Sequence, residues 1–73
     1  MSRSAYAALR QAEAEGLTLA LSESSRTGYK GVGFNSGRIK PYKAEVRRGG
    51  QTVALGSFAT AEEAALVVAR TPE

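Results

Sequence analysis

Seven of the ten basic residues, Arg26, Lys30, Arg38, Lys40, Lys43, Arg47 and Arg48, fall in one 23-residue stretch whose only acid is Glu45. The chemistry open to such a cluster is recognition of phosphate. Each ammonium or guanidinium that meets a phosphate releases condensed counterions, and Arg and Lys also pair with the O6 and N7 acceptors of guanine. The stretch sums to +6, the residues before it to −1 and those after it to −2, so the net +3 conceals a strong asymmetry. Other chemistries lack their groups. With no cysteine and no histidine, disulfides, the usual metal ligands and the usual general base are missing. Glu62 and Glu63 are paired carboxylates in sequence, but helix neighbours point about 100° apart, and acids at a helix start favour the dipole. Helix capping is the better reading of both.

Holding those cations requires a fold, and 73 residues allow one small domain. Such a domain buries only roughly 60% of its unfolded surface. That size argues against a deep enzymatic cleft, so neither an enzyme, a cofactor, a metal nor a small-molecule ligand is expected. No apolar run approaches the roughly 20 residues that span a bilayer, and Met1-Ser2-Arg3 is not followed by the apolar core of a signal peptide. A soluble, intracellular chain without membrane contact is expected.

From Ser4 to Glu15 strong helix formers dominate and Gly16 supplies a stop, which predicts a short helix. Its repeat follows Tyr6, Leu9, Arg10 and Glu13, a narrow apolar stripe that suits an appendage. Leu17, Leu19 and Leu21 then alternate with Thr18, Ala20 and Ser22, the period of an edge strand. A polar loop, residues 22–28, leads into the cationic region.

Three strands are predicted there. The first runs from Tyr29 to Asn35 with Val32 and Phe34 inward and Gly31 and Gly33 outward, ending at Asn35-Ser36-Gly37. In the second, opened by Pro41, Tyr42, Ala44 and Val46 alternate with Lys43, Glu45 and Arg47, so the charged trio shares one face. Gly49-Gly50 is a two-residue hairpin signal leading to Val53 and Leu55 inward, Thr52 and Ala54 outward. Thr60-Ala-Glu-Glu63 reads as a capping box, with the hydroxyl on the N3 amide and Glu63 on the amide of Thr60. The helix it opens presents Ala61, Ala64, Ala65 and Val68 to the sheet, and Pro72 stops it. The expected fold class is α+β: a three-stranded antiparallel sheet on one C-terminal helix, preceded by a helix and an extra edge strand. The organisation divides into 1–27, the domain proper at 28–70, and a tail at 71–73.

Tyr29-Lys-Gly-Val32, Lys43-Ala-Glu-Val-Arg47, Val53-Ala-Leu-Gly-Ser-Phe58 and Thr60-Ala-Glu-Glu-Ala-Ala65 occur in this order at near-constant spacing. Together they resemble the APETALA-two/ethylene-response-factor (AP2/ERF) DNA-binding domain over roughly Gly28 to Arg70. The resemblance implies a sheet laid in the major groove of double-stranded DNA and backed by a helix. It aligns Lys30 with the basic residue after the leading Tyr, and Arg47 with the basic residue of strand two. The chain departs where family members commonly carry Arg (Gly33), an Arg-Pro-Trp-Gly block (Asn35 to Lys40) and Trp (Ala54). The expected DNA-contacting set is Lys30, Gly33, Asn35, Arg38, Lys40, Lys43, Glu45, Arg47, Thr52 and Ala54.

Several roles stay open in the sequence. Glu45 either accepts from a cytosine amino group or orients Arg47. Gly31 and Gly33 either admit DNA closely or accommodate the helix and the strand twist. Tyr29 and Tyr42 either stack on bases or belong to core and rim, Tyr42 to the core. The leading expectation is a DNA-binding module of a larger transcriptional or chromatin protein, in the nucleus if the source is eukaryotic and otherwise in the cytoplasm. The alternatives are a DNA-binding arm of an integrase or homing endonuclease, or a protein-interaction module using the Tyr6/Leu9 stripe and the Leu17–Leu21 edge.

Overall fold

The computed structural model describes residues 2–71. Its elements are α1 (Arg3–Ala14), β1 (Val32–Phe34), β2 (Tyr42–Arg48), β3 (Gln51–Phe58) and α2 (Ala61–Arg70), with the strands in one antiparallel sheet ordered β1-β2-β3. The expected α+β class and the sheet are both present. Pro72, expected to stop α2, lies outside the described residues.

The hairpin forms where predicted. Gly49 and Gly50 both take positive φ, 57° and 81°, the turn that matches strand twist, and Arg48 pairs with Gln51. From there Arg47 pairs with Thr52, Val46 with Val53 and Glu45 with Ala54. The register then shifts: Ala44 pairs with Gly56, leaving Leu55 as an extra residue. This bulge reverses the parity of the rest of β3, so Ser57 faces out beside Lys43 and Phe58 faces in beside Tyr42.

The core lies between the inner sheet face and α2, and alanine dominates it. Ala44 and Ala64 are fully buried, with Ala61, Ala65 and Val32 around them, and Leu19, Tyr29, Tyr42, Leu55, Phe58 and Val68 close the rim. Small side chains bring the helix close to the strands. Val53 departs from expectation. It shares the inward face with Val46 but is 38% exposed and outside this cluster, because the core is centred toward the other end of the sheet.

Helix α2 starts at Thr60, whose hydroxyl accepts from the Glu63 amide at 3.2 Å and donates to the Glu63 carboxylate at 3.0 Å. The box therefore closes through the hydroxyl rather than the Thr60 amide. Strand β1 is shorter than predicted. Gly31 turns to φ 80° just before it, and Tyr29 is reduced to a single bridge with Leu21.

The N-terminal segment corrects two expectations. Helix α1 buries Ala5, Ala8 and Ala12, while Tyr6 is mostly exposed. Ala8 and Ala12 pack with Leu66 of α2, so α1 belongs to the fold and is no appendage. Its end is a Schellman motif: Gly16 at φ 69°, with the Gly16 amide on the Glu13 carbonyl and the Leu17 amide on the Ala12 carbonyl. That turn aims Leu17 and Leu19 at the two core clusters. The predicted edge strand over Leu17–Leu21 does not form, apart from the Leu21–Tyr29 bridge, and Leu21 is 76% exposed.

Candidate nucleic-acid interface

Helix α2 covers one face of the sheet, and the other is uncovered. By register, the uncovered face carries Gly33, Lys43 and Ser57 in one row, Glu45 and Ala54 in the next, and Arg47 and Thr52 in the third. Long charged side chains thus occupy only the central strand, and residues with short side chains or none flank them. The result is a charged ridge along β2. Arg47 is the fourth residue after Lys43, about 13 Å further along an antiparallel strand.

The remaining cations extend the ridge at its ends. Asn35, Arg38 and Lys40 lie on the exposed loop between β1 and β2, at the Lys43 end, and the Asn35 amide donates to the Pro41 carbonyl at 2.7 Å to close the loop's base. Lys30 lies at the opposite end, sharing with Arg47 and Thr52 a cleft of about 550 Å³ that continues past Gly31 to Val46 and Val68 on the inner side of the sheet. Among the described residues, none of Lys30, Arg38, Lys40, Lys43 and Arg47 is in an ion pair, whereas Arg70 pairs with Glu15. Their charges are directed to solvent.

The structure sorts the roles that the sequence left open. Glu45 makes no ion pair with Arg47 among the described residues, so it does not orient that guanidinium here. The two glycines separate. A Cβ on Gly31 would lie 2.8 Å from the Glu45 carbonyl and 3.3 Å from Val68, so the fold itself requires Gly31. Nothing lies within 4 Å of a Cβ on Gly33, which leaves that position open to an approaching ligand.

Both tyrosines belong to the fold. The Tyr29 hydroxyl donates to the Glu62 carboxylate at 3.0 Å, and burial followed by that bond pushes the phenol pKa up. Glu62 therefore receives Tyr29 as well as sitting in the first turn of α2. Tyr42 packs on Phe34, with ring centroids 5.3 Å apart, and on the core. Arg26, counted in the cationic stretch by sequence, leaves the ridge: its guanidinium lies 5.1 Å over the Phe34 ring. Phe34 is on the inward parity, so this charge lies away from the open face.

Ser57 is the outward residue that alternation missed. Counting by twos from Thr52 and Ala54 points Gly56 outward. The signal that corrects the count is Gly56 itself, at φ 145°, together with the need to bury Phe58. Among the described residues no group of three or more His, Cys, Asp or Glu side chains is placed to hold a metal, and no helix is long and apolar enough to cross a membrane. No family model, curated protein or solved structure matches the chain.

Proposed function

We propose that this chain is a duplex DNA-binding module that lays the open face of its sheet in the major groove, as one part of a larger transcriptional or chromatin protein. The observation that carries this reading is the charged ridge. Lys43, Glu45 and Arg47 stand on the central strand between flanks of Gly33, Ser57, Ala54 and Thr52, with unpaired cations at both ends. The spacing suits the target. A ridge about 13 Å long fits a major groove about 12 Å wide, so Lys43, Glu45 and Arg47 face base edges while the cations beyond its two ends reach the phosphates of opposite strands.

Within that frame Arg47 is the guanine reader, and Lys30, Arg38 and Lys40 position the module on phosphates. Glu45, central and unpaired, accepts from a cytosine amino group. The resemblance of the four sequence blocks to the AP2/ERF domain supports the same placement of Lys30 and Arg47. Titration of the chain with duplex DNA across a salt series tests the proposal. Three to five neutralised phosphates give a log–log slope of about −3 to −4, and salt-independent binding or none overturns it.

A further inference from the structure

The two outer strands of the sheet are treated differently. Beside β1, the Val32 carbonyl accepts from the Thr27 hydroxyl at 2.9 Å and the Ser25 hydroxyl at 3.3 Å, and the Lys30 amide donates to the Ala20 carbonyl at 2.9 Å. That edge is blunted by the loop folded along it. Strand β3 pairs with β2 alone, and among the described residues no hydrogen bond reaches its far side. Every second residue of such a strand turns its N–H and C=O outward, ready for another strand.

Exposed edges ordinarily carry Lys, Pro or inward charges that prevent pairing. Gln51–Phe58 contains no charged residue and no proline. Its bulge lies at Leu55 and Gly56, beyond the four residues Gln51–Ala54, which pair with β2 in unbroken register and are all exposed. Val53, 38% exposed, is a β-branched apolar side chain left beside this open edge.

We infer that β3 is a self-association edge, on which a second copy of this chain pairs its own β3 antiparallel about a two-fold axis at Val53. One six-stranded sheet results. The axis sets Val53 against itself and Thr52 against Ala54 of the second copy, cross-strand pairs that are apolar, small or hydroxyl-bearing. Neither edge brings a charge to the contact, so no like-charge repulsion opposes the pairing of two identical strands. The Arg47 positions of the two copies lie three strand spacings apart and two residues offset along the strands, about 16 Å in all, beyond the screening length of about 8 Å at physiological salt. The open faces lie on the same side of the joined sheet.

Sedimentation equilibrium of the chain without DNA, from micromolar to millimolar concentration, tests this independently of any DNA binding. A concentration-dependent dimer is expected. Val53→Lys and Val53→Glu each place like charges across the axis and weaken association by about fivefold or more, whereas an equimolar mixture of the two recovers a dimer. Recovery cannot come from variants that fail to fold. Leu21→Lys, on the blunted side, leaves the dimer unchanged. A wild-type chain that stays monomeric at millimolar concentration overturns the inference, as does association that both Val53 variants retain or a mixture that recovers nothing. A monomer that instead adds a foreign strand at β3 overturns it equally.

Discussion

Arg47 and Lys30 stand at one end of the ridge, but Arg47 is on the central strand and Lys30 in the turn before β1, and that difference separates specificity from charge. Arg47 projects from the central strand of the open face, so a bidentate contact to guanine predicts that Arg47→Ala loses about 1–3 kcal/mol on a selected duplex and far less on a scrambled one. Lys30 lies at the margin before β1, and Lys30→Ala should weaken both duplexes alike and reduce the salt slope by about one. Parallel titrations at fixed salt decide between the roles: equal losses for Arg47→Ala would reduce it to phosphate positioning. The glycines allow a second test. Gly33 has open space where a side chain would project, so Gly33→Arg should fold normally and tighten DNA binding. Gly31→Ala meets the Glu45 carbonyl in a left-handed backbone and should destabilise by more than about 1 kcal/mol, read as a lower Tm.

Between elements, the contact most exposed to testing is the one joining the two helices. Leu66 is the only large side chain among the buried residues of the α1–α2 cluster, facing Ala8 and Ala12, so Leu66→Ala should cost about 2–5 kcal/mol in denaturant unfolding. Val53→Ala, at a partly exposed position, should cost clearly less in the monomer. At the C-terminal ends of the same helices, the Arg70 guanidinium, assisted by the Gln11 amide, holds the Glu15 carboxyl at about 2 rather than 4.5. A carboxyl depressed in the folded state contributes stability above its unfolded pKa and loses it as pH falls through the folded one. The Tm should therefore decline between about pH 4.5 and 2, and Glu15→Gln should flatten part of that decline. The helix pair was also the least legible element in the sequence. Alanine contrasts weakly with its neighbours in hydropathy, so Ala5, Ala8 and Ala12 were hidden behind Tyr6 and Leu9, and nothing local in a leucine alternation shows that its partner strand is absent. The Gly49-Gly50 turn, β2 and the Thr60 cap were legible because each depends on residues adjacent in sequence. The face of the candidate site followed from β2 alternation alone; the bulge that adds Ser57 depends on pairing with β2, which alternation within one strand does not contain.

For the molecule as a whole, the described residues have a radius of gyration of 11.6 Å, close to the roughly 11 Å expected of a single domain this long, so α1 and the sheet behave as one body. A chain that folds as one cooperative unit should unfold in a single transition by circular dichroism and by tyrosine fluorescence alike. Charge is distributed unequally over that body, which is why salt should act on binding far more than on folding. The alanine core carries a different consequence, for tolerance to change. Ala44, Ala64 and Ala65 have almost no side chain to lose, so truncation, the usual route to damage in a core, is nearly closed to them. Their vulnerability is growth. Each added methylene must push α2 off the sheet, and Ala44→Val or Ala64→Leu should cost about 1–3 kcal/mol or more. In a library of all single substitutions, the positions that tolerate least should be those occupied by the smallest side chains, with rejection rising with volume rather than with polarity.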